Sequence, residues 1–483
     1  MNPFLSIVFL SSLTHSSVLC RQSCKLHFEA APLKIVRASK QYMYDEGGTE
    51  FLDCINNVSH VGHCHPYVVS VAQEQMAKLS TSSGFLSDSS SQYAKQLVGT
   101  FPESLNICYF VNSGSEANDL ALRLAQAHTK QKDLLVVENA YHGNLSNLID
   151  ISHSRFKKMP GGKKEHVHVV PWPNTYRGLF REDHANLGEA YALEVKKKIQ
   201  AVHKEGRQIA GFICEPLMST AGVITPPQNY LKHVYKLVRE AGGVCIADEV
   251  QVGLGRVGDY YWSFQSYDVV PDIITCGKPM GNGFPMAAVV TTTEVANSLA
   301  CFESSFGGNP VSCSVGLAVL DVIQNEKLLS SAKCVGLVLL EGFRNIQPNH
   351  PMMGDVRGQG LIIGVELVTD KESRKPASEA AELLTYKAKQ LRILVANEGP
   401  DKNVIVMTPP LCFNIDNARH VIQVIDKVLA EIERGTCPDQ MSAQSDEGIT
   451  ELTIPLDIVS GVESYDDDDD DPHCKRARYE DMD

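Results

Sequence analysis

Lys278 stands in IITCGKPMGNGFP (residues 273–285), directly after an apolar run and among glycines, with no acid in the segment to pair with it. A buried ammonium without a partner is costly, so this position calls for a nitrogen that is covalently occupied. Asp248 emerges from a second apolar run, VCIA, and Glu215 follows a third, IAGFIC. In NSGSEAND (112–119), Gly114 and Ser115 lie where an apolar run turns into a helix-like segment. Backbone N–H groups at a helix start, with glycine permitting close approach, make a cup for phosphate. AYHG (140–143) adds Tyr141 and His142, an aromatic and an imidazole that can lie against a planar ring. Taken singly, each feature has a plainer reading as a turn, a packed aromatic or a structural aspartate.

Together they describe one ligand, pyridoxal 5'-phosphate. Its aldehyde condenses with a lysine, which explains an unpaired Lys278. Its pyridine nitrogen needs a carboxylate such as Asp248 to stay protonated, so that the ring can act as an electron sink. A nicotinamide cofactor fits poorly, because neither GLGRVG nor GKPMGNG has the strand–glycine–helix context that a dinucleotide requires.

The elements that must carry these residues follow from patterning. Between residues 106 and 292, seven short apolar runs alternate with helix-length segments: ICYFVN, LLVVEN, HVHVVPW, IAGFICEP, VCIADEV, DIITCG and AAVVTTT. Continuous apolar strands separated by amphipathic helices, such as 189–203 and 228–241, predict a mostly parallel sheet covered on both faces. In such sheets ligands bind beyond the carboxyl ends of the strands, where these candidate residues fall. After about residue 325 the pattern changes to a smaller α+β unit, which the hairpin-like YMYDEGGTEFLDC (42–54) could join.

NSGSEAND, AYHG, ADEVQVGLGRVG and TCGKPMGNG, in this order, resemble the class III, fold type I, pyridoxal-phosphate aminotransferase family over residues 33–435. NNVSHVGHCHP, NTYRGLFREDH, FGGNPVSCSVGLAVLDV and PPLCFNIDNAR are most similar to the branch of ethanolamine-phosphate and phosphohydroxylysine phospho-lyases, also labelled alanine–glyoxylate aminotransferase 2-like. The resemblance implies an α/β fold: a large domain (76–325) with a seven-stranded, mostly parallel sheet, and a smaller α+β domain built from 31–75 and 326–435. It implies that Gly114 and Ser115 hold the cofactor phosphate, Tyr141 stacks on the ring with His142 beside it, and Asp248 pairs with the ring nitrogen. Gln251 would approach the ring hydroxyl, with Glu215 also at the cofactor, and Lys278 would be the covalent lysine and acid–base catalyst. Ser305 would reach the phosphate bound by the other subunit, so a homodimer or a dimer of dimers is expected.

The reaction divides two readings. A phospho-lyase acting on a phosphorylated amine such as phosphoethanolamine is favoured by NVIVMTPP, which lacks the arginine that amino-acid transaminases of this family commonly place before the paired prolines. Gly84 and Phe284 stand where the phospho-lyases carry an arginine and a histidine, which favours a transaminase acting on another amine. A catalytically silent cofactor-binding protein or scaffold is the third reading, and the presence of Lys278 and Asp248 argues against it. If a phosphate must be held, charge-assisted contacts favour arginine, and Arg177 and Arg181 are the candidates.

The formal charge of −14 over 483 residues argues against a nucleic-acid partner. Fourteen scattered cysteines without a Cys-x-x-Cys pair read as free thiols. His60, His63, Cys64 and His65 are too adjacent to converge on one metal ion. The apolar FLSIVFL (4–10) is too short to span a membrane. Its acid-poor, serine-rich continuation in the leader (1–30) fits mitochondrial import, with a cytoplasmic protein as the alternative. The tail (436–483), with aspartates at 466–471, reads as disordered.

Overall fold

In the computed structural model, residues 25–435 are described; the leader before them and the acidic tail lie outside that range. All seven apolar runs form strands of one sheet. Its spatial order is Ile107–Val111, Ala287–Thr291, Ile273–Cys276, Val244–Asp248, Ile209–Cys214, Asp133–Val137 and Val167–Val170. Ala287–Thr291 runs antiparallel to both neighbours, and the other six strands share one direction.

Alternation along the central strands explains why these runs are apolar throughout. Phe212 and Cys214 face one layer, where they pack with Tyr191, Val195, Tyr230 and Val234 of helices Leu187–Lys204 and Tyr230–Glu240. Ile213 and Ile246 face the opposite layer, against Ala117, Leu120 and Leu124 of helix Gly114–Thr129. Neither face meets water, so these strands are apolar except where a polar side chain is hydrogen-bonded, as Thr275 and Asp248 are. Truncating Ile213, which is fully buried, would cost about 2–5 kcal/mol.

The smaller unit contains a five-stranded sheet in which Met353–Gln359, Ile362–Asp370, Val404–Met407 and Ala396–Glu398 pair antiparallel, with Lys375–Pro376 on the second of these strands. Helices Leu328–Ile346 and Ser378–Gln390 pack on it, and Ile415–Glu433 packs on those two helices. The predicted hairpin forms as Tyr42–Asp45 and Glu50–Asp53, and its second strand pairs in parallel with Ile393–Leu394. No described helix is long and apolar enough to cross a membrane. The ten described cysteines are free. His60 contacts Arg256 and the Leu254 carbonyl, His63 contacts Asp53, and His65 contacts Glu326, so the three imidazoles serve three separate sets of partners.

Candidate active site

Five of the six co-directional strands, all but Val167–Val170, are followed by residues that line one cavity of about 330 Å³. That volume suits a single-ring ligand. At one wall, helix Gly114–Thr129 begins. Its N-cap Ser113 accepts the Glu116 N–H at 3.2 Å, while Glu116 Oε2 accepts the Asn112 N–H at 3.0 Å, a reciprocal cap that fixes the first turn. The amides of Gly114 and Ser115 belong to the first helical turn and have no intrahelical acceptor. A Cβ on Gly114 would lie 2.5 Å from Val250 Cγ1, and one on Gly143, whose φ is +130°, would lie 2.7 Å from Ser115 Oγ. Only glycine keeps this cup open.

Asp248 is the last residue of its strand and 3% exposed. Asn118 Nδ2 and His142 Nδ1 both donate to its Oδ2 at 2.8 Å, and the Val250 N–H donates to Oδ1 at 3.1 Å. Asn118 Oδ1 in turn accepts from Thr275 Oγ1 at 2.7 Å. The carboxylate is therefore clamped in one orientation, with no rotational freedom left to lose on binding. His142 Nε2 is buried without a protein partner, and His142 is among the residues that line the cavity. Tyr141 also lines the cavity, and the Arg155 guanidinium sits 4.8 Å from its ring centroid.

Lys278 opens the turn after Ile273–Cys276, and its Nζ donates to Gln251 Oε1. The side chain lies open along the cleft, yet protein crowds its nitrogen. That desolvation lowers its pKa, against the opposing pull of Glu215, Asp248 and Glu398. Glu215, 4% exposed, accepts the Ser219 N–H at 3.0 Å through Oε2, while its Oε1 is without a partner. Burial first, and Asp248 second, push its pKa up to about 8.

Two candidate substrate residues do not reach this cavity. Arg177 pairs through Nε with the fully buried Glu366 and through NH1 with Asp401 at 2.9 Å, and it does not line the cleft. Its guanidinium is consumed by a structural ion pair, which corrects the expectation that it holds a substrate phosphate. Arg181 is exposed and also absent from the lining, beside Glu182. Ser305 is exposed and outside the cavity of its own chain. Sequence reasoning missed Asn118, Thr275 and Ser219. Asn118 had a usable signal, since it lies one helical turn after Gly114 on the same face.

The profile described as Aminotransferase class-III matches residues 27–429. This chain belongs to the class III aminotransferase family. The class III chain is 48% identical over 407 residues to a Drosophila melanogaster protein named alanine–glyoxylate aminotransferase 2-like, covering 82% of each. It is 40% identical over 428 residues to the Caenorhabditis elegans ethanolamine-phosphate phospho-lyase homolog 1, covering 85% of this chain and 91% of that one. Among solved structures, an Arthrobacter phospholyase in complex with phosphoethanolamine superposes with a TM-score of 0.82 at 33% identity, covering 87% of this chain and 99% of that one.

A class III member is a pyridoxal 5'-phosphate enzyme of fold type I. The residues present fit that cofactor: a glycine-walled cup at a helix start, a clamped carboxylate, unpartnered polar atoms on Glu215 and His142, and a lysine in the same cleft.

Proposed function

We propose that this class III enzyme is a phospho-lyase that removes phosphate and ammonia from a phosphorylated amine such as phosphoethanolamine. The observation that carries the reading is the pair Met407–Thr408 before Pro409. Met407 is 1% exposed, and Thr408 is spent on the Ile55 carbonyl, to which its Oγ1 donates at 2.9 Å. No arginine lines the cavity among the described residues, so neither an α-carboxylate nor a substrate phosphate meets a guanidinium there, and the reading rests on the missing arginine before Pro409 together with the relatives' names. The names of the worm relative and of the Arthrobacter structure support the same reading.

Gly114 and Ser115 would hold the cofactor phosphate with their amides. Asp248 would keep the ring nitrogen protonated, and Gln251 and Tyr141, the latter backed by Arg155, would bind the ring. The bound cofactor supplies an electron sink for the carbon that bears the substrate nitrogen. Lys278 would take a proton from that carbon. Its lowered pKa makes the neutral amine available as a base. The C–O bond of the neighbouring carbon then breaks, phosphate leaves with the electron pair, and water converts the remaining nitrogen-bearing fragment to aldehyde and ammonia.

The active form is a homodimer. Phe85 (83% exposed), Leu86 and Phe306 present apolar surface beside Gly84 and Ser305, and a second copy would cover it. The acid-poor leader supports mitochondrial import.

Phe284, which lines the cleft, favours the second reading, a transaminase acting on an unphosphorylated amine. Incubation with phosphoethanolamine decides between them. The lyase releases inorganic phosphate and acetaldehyde in equal amounts without a keto acid. Keto-acid-dependent amino transfer with no phosphate release overturns it.

A further inference from the structure

The stretch Asn139–His142 is gripped residue by residue from Ser152–Lys157, none of which lines the cavity. The Asn139 N–H donates to His153 Nδ1 at 2.9 Å, and Asn139 Oδ1 accepts from Lys157 Nζ at 2.8 Å. The Ala140 carbonyl accepts from both the amide and the hydroxyl of Ser154, at 3.2 and 2.9 Å. Arg155 stands over the Tyr141 ring, and the His142 N–H donates to Ser152 Oγ at 2.9 Å. Of the residues held in this way, Tyr141 and His142 line the cavity.

Asn139 is where the chain leaves strand Asp133–Val137 and turns toward the site. Its φ is +63°, in the left-handed region that a residue with a side chain keeps only when its surroundings hold it there. It is 6% exposed, so an N–H without a protein acceptor would not find water in compensation. The acceptor is defined by its donor. A backbone N–H can only donate, so His153 Nδ1 keeps its lone pair and the ring proton sits on Nε2. Burial first, and the Lys157 ammonium second, lower the His153 pKa to about 4, which leaves Nδ1 free to accept at neutral pH. Edge-to-face packing on the buried Phe156, with ring centroids 5.3 Å apart, fixes the imidazole.

We propose that His153 is a positioning residue for the cofactor: by accepting the Asn139 N–H it fixes the turn that delivers Tyr141 and His142 to the cavity. The inference rests on the reading of this cavity as the pyridoxal 5'-phosphate site, and it is independent of the substrate and of the reaction that follows. Asn139 and His153 both lie outside the cavity lining, so a bound cofactor does not replace the bond between them.

The test compares the parent, His153→Leu and His153→Asn. Leucine removes the acceptor, whereas asparagine puts its Oδ1 close to where Nδ1 stands. Each apoenzyme is titrated with pyridoxal 5'-phosphate, followed by absorption, and its melting temperature is recorded alongside. His153→Leu is expected to bind the cofactor about tenfold more weakly, the scale set by a buried N–H that loses its acceptor. His153→Asn should bind within about twofold of the parent. Unchanged affinity in His153→Leu, whatever its melting temperature, overturns the proposal while leaving the cofactor site in place. So does a loss of affinity that asparagine fails to restore. A parent apoenzyme with no saturable change in absorption overturns both the proposal and the reading of the site.

Discussion

Asn118 binds Asp248 directly, Nδ2 to Oδ2 at 2.8 Å, and it does so from the helix whose first residues form the candidate phosphate cup. Cup and carboxylate are therefore set at a fixed separation by one turn of backbone. The same amide donates to the His142 carbonyl at 2.8 Å, so the loop carrying Tyr141 is tied to the same anchor.

Removing that anchor should uncouple the two ends of the ligand. Asn118 is 1% exposed, and Asn118→Ala strands the Thr275 hydroxyl and one acceptor position of Asp248, at a cost of about 1–3 kcal/mol. Cofactor affinity, measured by titrating the apoenzyme, is expected to fall about tenfold or more. Unchanged affinity would mean that Asp248 is held adequately by His142 and Val250 alone.

Arg177 should matter for stability and not for substrate. Arg177→Met leaves the buried Glu366 with Arg357 as its remaining cation, 2.7 Å away. Stability should drop by about 2–3 kcal/mol in urea unfolding, while KM for the amine stays within twofold. A raised KM without loss of stability would return Arg177 to the substrate.

Glu215 and Glu249 share one pH signature. Burial pushes both carboxyls from an ordinary 4.5 to about 8, in Glu249 against the opposing amides of Ser263 and Phe264. Both folded-state values are raised, so the folded protein holds protons that the unfolded chain has released. The associated stability is fully present below pH 4.5 and is lost as pH rises toward 8, by at most about 1.4 kcal/mol per pH unit for each group. Glu215→Gln should flatten the fall in melting temperature between pH 5.5 and 7.5 by roughly half. An unaltered slope would show that Glu215 is ionised throughout that range.

Much of this was legible in the sequence, for identifiable reasons. A strand covered on both faces is apolar at nearly every position, so all seven strands of the large sheet show as runs, and the residues at or just past their ends include those that line the cavity. Helix Pro310–Asn325 was harder to read as an element: twelve of its residues, from Pro310 to Ile323, are buried, so it has no polar face to mark its period. Long-range pairing was invisible as well. Arg177 and Glu366 are 189 positions apart, and nothing local to NTYRGLFREDH shows that its arginine is already paired. Ser219, whose amide meets Glu215, carries no motif of its own and is placed by a loop that the Met218–Ile224 bridge closes.

The central claim is that Lys278 carries the cofactor beside a carboxylate fixed at Asp248. Reduction of the holoenzyme with borohydride, followed by proteolysis and mass mapping, tests it most directly. The account predicts a pyridoxyl group on the peptide containing Lys278, absent from Lys278→Ala, which keeps the parent's melting profile without cofactor but turns over no substrate. A pyridoxyl group on any other lysine, or a Lys278→Ala variant that still acquires the label, would contradict it.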